Sequence, residues 1–260
     1  MAVMPRRVAR KAITGAAALL VVITAAALIW WSASRVDLDP WRSGPPPYPW
    51  ASMVRQEQRW RAEGLARRVA HDYVPLEAIS PELVLAVTVS EDARFLSHGA
   101  VDGGALRDAV RVWWAGGRLR GASTISQQLA RILFLSPERT ITRKLREMKL
   151  AWWLERELGK RRVLELYLNV VEFGPGVFGA EAAARRYFGV PATHLDAGQA
   201  AALAAALPAP GVDNPAAASE RWQWRRRRIE ERARLAADLR GKLAALIGAE
   251  QAASPGDPPR

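Results

Sequence analysis

The sequence predicts a mainly α-helical domain behind a single N-terminal membrane-spanning helix. Three observations predict it: a 20-residue uncharged stretch near the N-terminus, apolar repeats at helical spacing between helix start and stop signals, and almost no alternating strand pattern.

The uncharged stretch runs from Ala12 to Trp31. At ~1.5 Å per residue it reaches ~30 Å, the hydrocarbon thickness of a bilayer. Arg6, Arg7, Arg10 and Lys11 precede it, so residues 1–11 are expected in the cytoplasm and the chain after residue 31 outside it. Trp30 and Trp31 end the stretch at interface depth. The run is longer than the ~7–15-residue core of a cleaved signal, which favours an uncleaved anchor over cleavage near Ser32-Ala33-Ser34. Residues 32–55, with the proline-rich run Pro40 to Pro49, read as an extended, semi-rigid spacer. The folded domain is expected over 56–248, and 249–260 as a frayed tail.

Composition narrows the chemistry. The chain has 260 residues, a net charge of +12 and no cysteine, which removes disulfide frameworks, thiolate metal sites and a Cys nucleophile. Half of the residues are apolar and a quarter charged, values of a globular chain.

Within the domain, Arg55 to Arg68 reads as a helix. Ser80-Pro81-Glu82 starts another that runs to Phe95, with Ser as cap and Pro at the first helical position. Gly103 to Trp114 forms the next, stopped by Gly116-Gly117. Ser123 is expected to cap a helix through Phe134. Ser136-Pro137 repeats the start signal for a long helix to Leu158, stopped by Gly159 and resumed from Lys160 to Asn169. Gly179 to Tyr187 follows. Asp196 and Gln199 form a capping-box pattern before the alanine-rich run to Leu207. Val170 to Phe173 is the best strand candidate.

On the long helix, Ile141, Leu145, Met148 and Trp152 recur at helical spacing and are expected in the core. Arg139, Arg143 and Glu147 share another face, with Lys144 beside it. On the preceding helix Thr124, Gln128 and Arg131 form a polar row. Arg131, Arg139, Arg143 and Lys144 thus fall within 14 positions, which suits a multivalent anion such as pyrophosphate. A solvated helix face is the alternative, and nucleic acid is not expected outside the cytoplasm. Glu91, Phe95, His98 and Asp102 align on one face if helical geometry persists, and a carboxylate beside an aromatic is suited to proton transfer. Gly174 to Gly179 matches GxGxxG, but no βαβ unit surrounds it and Pro175 removes an N–H, so dinucleotide binding is rejected. No metal site is expected, because His71, His98 and His194 are scattered.

Several motifs then coincide in order. Glu91-Asp92-Ala-Arg-Phe95-Leu-Ser-His98-Gly99 resembles EDxxFxxHxG, and Gly121 to Arg131 resembles GGSTITQQLxK. Arg143-Lys144-Leu-Arg-Glu147 resembles RKxxE, followed by Tyr167-Leu168-Asn169. Over about Leu76 to Pro215 the chain resembles the glycosyltransferase family 51 domain, the peptidoglycan transglycosylases, and its short single domain resembles the monofunctional biosynthetic members. It departs at Arg131, where the family has lysine, and at Ala122, where it has a second glycine.

The resemblance implies a lysozyme-like helical fold with a small membrane-associated jaw, in the inner membrane with the catalytic domain periplasmic. It implies polymerisation of lipid II, with Glu91 as general base and Glu147 as the second functional carboxylate. Arg131, Arg139, Arg143 and Lys144 would neutralise the leaving pyrophosphate, and Asp92, Phe95, His98, Thr124 and Gln128 would line the site. No cofactor is required; a divalent cation at the pyrophosphate is compatible. The partners it implies are lipid II, the growing lipid-linked strand and the membrane, with other cell-wall synthesis and division proteins as further candidates. Trp113-Trp114 with Val110 and Val112 reads as an interfacial edge or as packed core, and Arg225 to Arg228 as a headgroup contact or a solvated face. The competing functions are a lysozyme-like glycan-cleaving enzyme and a non-catalytic membrane scaffold.

Overall fold

The computed structural model describes residues 36–117, 123–138 and 140–248, without the side chains of Val110 and Trp113. The expected cytoplasmic segment, anchor and tail lie outside the described residues, as do Ala122 and Arg139. Among the described residues no helix is long and apolar enough to cross a membrane.

One compact unit begins at Leu38. That is earlier than the expected boundary at Gln56, because the proline-rich run is pinned rather than extended freely. Trp41 and Trp50 are buried, and Arg162 donates to the carbonyls of Trp41 (2.8 Å) and Gly44 (2.6 Å). Helix α1 (Ala51–Ala62) follows, burying Met53, Gln56 and Trp60. Their spacing puts Ser52, Arg55 and Arg59 on an adjoining face.

Helix α2 (Pro81–Glu91) forms the centre of the core: Leu83 to Val89 are all buried, as expected of a helix apolar on every side. Ser80 caps it, accepting from Glu82 N–H (3.2 Å) and donating to the Leu195 carbonyl (2.7 Å). The helix stops at Glu91 and not at Phe95, since Asp92 turns to an extended φ of −160°. Glu91, Phe95, His98 and Asp102 therefore do not share a helical face.

Helices α3 (Gly103–Trp114) and α4 (Ile125–Phe134) come next. The cap of α4 is Thr124 instead of Ser123, because Thr124 and Gln127 complete a reciprocal capping box. Helix α5 (Ile141–Val170) packs along α4. Thr140 caps it, accepting from Arg143 N–H at 3.1 Å, so the Ser136-Pro137 signal is unused. Gly159, at φ 73°, breaks its course, and from Val163 to Val170 the helix is buried.

The stripe expected in the core points outward. Ile141 is 81% exposed, Leu145 50% and Trp152 38%. Lys149, Leu150, Trp153 and Leu154 are buried instead. Periodicity marks the faces of a helix without saying which one its neighbours cover; in α5 the face toward the body carries Glu147.

Strands β1 (Ala70–His71), β2 (Glu172–Gly174) and β3 (Val177–Phe178) form a small sheet of order β1-β3-β2, with β1 parallel and β2 antiparallel to β3. Val170, expected in a strand, ends α5. The glycines of the GxGxxG match turn a hairpin: Gly176 has φ 72°, and a Cβ there would lie 1.9 Å from the Trp60 ring. Helices α6 (Ala180–Phe188) and α7 (Ala197–Ala204) complete the core, α7 opening on the expected Asp196–Gln199 capping box. Helices α8 (Glu220–Leu235) and α9 (Ala237–Gly248) pack against α2. Of the expected headgroup contacts on α8, Arg225 is taken up by Asp213 (2.9 Å) and Arg226 by Glu230 (2.9 Å), while Arg227 and Arg228 are exposed.

Replacing Gly176 with Ala adds a side chain where φ is left-handed and an indole already sits. It is expected to destabilise the domain by about 2 kcal/mol or more, read as a lower midpoint in urea unfolding.

Candidate active site

A cavity of about 550 Å³ opens where the end of α2, the polar row of α4 and the first turns of α5 converge. Glu91, Gln128, Arg131, Arg143, Lys144 and Glu147 all line it, so six of the eleven expected site residues meet in one space.

The two carboxylates are held in opposite ways. Glu147 is buried and forms ion pairs with both Arg143 and Lys144. Lys144 also donates to Ser123 Oγ (2.9 Å) and Gln127 Oε1 (3.3 Å), tying the start of α5 to the capping box of α4. Glu91 has no ion pair among the described residues. It accepts from Gln128 Nε2 at 2.8 Å and from Ser90 Oγ at 3.3 Å. Burial pushes its carboxyl pKa above the usual value; the bonds from Gln128 and Ser90 and the charge of Arg131 pull the other way. Its place at the C-terminal end of α2 also disfavours the anion, because that end of a helix carries partial negative charge.

Gln128 is itself oriented. Tyr167, fully buried, donates its hydroxyl to Gln128 Oε1 at 3.0 Å, which aims the amide nitrogen at Glu91. Burial holds the Tyr167 phenol well above its usual pKa, so it remains a donor.

Four expected site residues serve the frame instead of this cavity. Asp92 accepts from the Ile125 N–H (3.1 Å) and pairs with His98 Nε2 (2.7 Å), bracketing the chain after α2 against the start of α4. Thr124 donates to the Ala100 carbonyl (2.6 Å) in addition to capping α4. Phe95 is buried under the Lys160 ammonium, 4.4 Å from the ring centroid. Asp92 and Thr124 border a smaller hollow of about 230 Å³ that also reaches Glu91. Arg139, the remaining expected residue, lies outside the described residues.

The cavity also has walls that no motif announced. Ser52 and Arg55 enter from α1, and Glu172 from β2. Glu172 accepts from the Gly176 N–H at 2.9 Å, and burial raises its pKa. A single Ser, Arg or Glu carries no pattern to be read, and these reach the cavity only through the folding of distant segments. Among the described residues no cluster of three His, Asp or Glu side chains is placed to hold a metal.

The cavity thus sets a partly buried carboxylate, Glu91, without an ion pair among the described residues, in one space with Arg131, Arg143 and Lys144. The chain belongs to the transglycosylase family: the family model described as Transglycosylase matches residues 58–234. Its relatives include a biosynthetic peptidoglycan transglycosylase of Rhodospirillum centenum, 51% identical over 166 residues, which cover 64% of this chain and 69% of the relative. A protein of the same name from Aeromonas hydrophila is 49% identical over 169 residues, covering 64% and 69%. Another, from Bordetella pertussis, is 46% identical over 170 residues, covering 62% and 69%.

Glu91 costs stability where it sits. With a folded pKa above the unfolded value of about 4.3, the penalty is absent at lower pH, grows as the unfolded chain ionises, and is complete above the folded pKa. Glu91→Gln is therefore expected to raise the melting temperature at pH 7 relative to the native chain. The gain should shrink toward zero as the pH is lowered below about 4, followed by thermal melts across that range.

Proposed function

We propose that this peptidoglycan glycosyltransferase polymerises lipid II into β-1,4 glycan strands and releases undecaprenyl pyrophosphate. The observation that carries the reading is the convergence of Glu91 with Arg131, Arg143, Lys144 and Glu147 on one cavity.

In this reading Glu91 is the general base. It takes the proton of the acceptor's GlcNAc 4-hydroxyl as that oxygen attacks the donor's anomeric carbon. The bond to the pyrophosphate breaks on the opposite face, so configuration inverts. A carboxylate with a raised pKa holds the abstracted proton better than an ordinary one. Gln128, aimed by Tyr167, keeps the carboxylate in place. Arg131, Arg143 and Lys144, with Arg139 carried over from the family motif, neutralise charge as it gathers on the leaving group. Glu147 positions Arg143 and Lys144. No step requires a metal held by the protein; a divalent ion would arrive on the substrate's phosphates.

The substrate's lipid is rooted in a bilayer, which gives the outward apolar residues a use. Trp114 is 82% exposed and Val112 50% on α3, and Ile141 and Leu145 project from α5. We assign these to a jaw that dips into the interface, with residues 12–31 as the anchor and the domain on the periplasmic side of the inner membrane. The growing strand is the second substrate, and other wall-synthesis and division proteins are the expected partners.

Incubation of the full chain with lipid II is expected to yield polymeric glycan, and Glu91→Gln to slow it by about 10²–10⁴-fold while the fold persists. Unchanged turnover would remove Glu91 from the mechanism, and fragments released from finished wall would point to cleavage. A second outcome concerns the jaw. Trp114→Asp together with Ile141→Asp should lower turnover on lipid II in vesicles while leaving it near native in detergent; equal rates in both settings would sink the assignment.

A further inference from the structure

Two polar groups on the cavity wall have no part in that reading. Ser52 and Arg55 are three residues apart on α1, share a face, and both line the cavity. Ser52 Oγ is buried and has no hydrogen-bond partner among the described residues. Arg55 Nη1 donates to the Leu135 carbonyl at 2.8 Å, just past the end of α4, which fixes the guanidinium beside the cavity.

Charge in the cavity is unevenly satisfied. Arg143 and Lys144 share the single negative charge of Glu147. Arg55 and Arg131 have no ion pair among the described residues, and their charges repel: burial first, then Arg131 and Arg59, hold the Arg55 pKa below its usual value. The buried Nε of Arg143 also lacks a partner among the described residues. A half-buried cation next to another cation is unfavourable unless something negative completes the site. The unpartnered Ser52 hydroxyl, the half-buried Arg55 and the exposed Arg131 together match a group with several anionic oxygens and more than one charge.

We propose that Ser52 and Arg55 of α1, together with Arg131, bind the diphosphate of the lipid-linked substrate. Arg55 donates through its free N–H groups to non-bridging oxygens, and Ser52 through its hydroxyl. The first helix of the folded unit is thereby a substrate-binding element. The identity of the anion's carrier rests on the polymerase reading; the anion site rests on α1.

The test uses the full chain in detergent, with inorganic pyrophosphate as the probe in calorimetric titrations and lipid II in kinetics. The native chain is expected to bind pyrophosphate. Arg55→Gln should weaken that binding by about tenfold or more, Ser52→Ala by a few-fold, and Arg55→Lys less than Arg55→Gln, since it keeps the charge but not the fork. KM for lipid II should rise by similar factors while kcat changes little. Absence of pyrophosphate binding by the native chain, equal affinity in native and Arg55→Gln protein, or a fall in kcat with KM unchanged would each overturn the proposal. If Arg55→Gln fails to fold, Ser52→Ala and Arg55→Lys decide by the same readings. Should the native chain bind pyrophosphate through Arg55 yet make no glycan, the anion site stands and the polymerase reading falls.

Discussion

Glu147 takes both Arg143 and Lys144, and Glu91 takes neither. The chemistry of the cavity follows from that division. A carboxylate between two cations holds both of them in place. A partly buried carboxylate that accepts from an amide and a hydroxyl, at the end of a buried helix, keeps its appetite for a proton. Among the described residues, Arg131 is a cation whose charge pulls the Glu91 pKa down. An anion bound at Arg131, as proposed, would cancel that field and so would strengthen Glu91 as a base.

The core exists to hold this difference. Helix α2 is apolar all round and ends with its only cavity-facing acid, so the packing that fixes the helix also fixes Glu91. Asp92, His98 and Thr124 then turn the chain and start α4 at a set distance. Tyr167, from the buried half of α5, completes the frame by aiming Gln128. On the other side, Trp50, Met53 and Trp60 anchor α1 so that Ser52 and Arg55 meet the cavity.

Much of this was legible in the residues, and the gaps have physical causes. Helix α3 and the capping box of α7 were read from Gly stops and Asp196–Gln199, signals that depend only on neighbours in the chain. The motifs located Glu91, Gln128, Arg131 and Glu147, because a constellation repeats as spacing. They did not separate Gln128, which touches Glu91, from Thr124 and Phe95, which support the frame, since both kinds of residue sit in the same motif. Periodicity predicts the stripe from Ile141 to Trp152 in the core, and it is blind to which face meets a partner. Ser136-Pro137 lost to Thr140 and Ser123 to Thr124, where the side chain reached the right N–H. Arg55 left no local trace at all: its meaning comes from Leu135, 80 positions away.

Helix α5 joins the two halves of the site on one backbone, Glu147 before the bend at Gly159 and Tyr167 after it. Adding or removing one residue within either helical segment between them would rotate one relative to the other by about 100°, a full change of heading for its side chain. The stretch can therefore drift in composition across descendants while its count of residues stays frozen. Surface loops such as 63–69 carry no such phase, and gaps in the lineage should gather there.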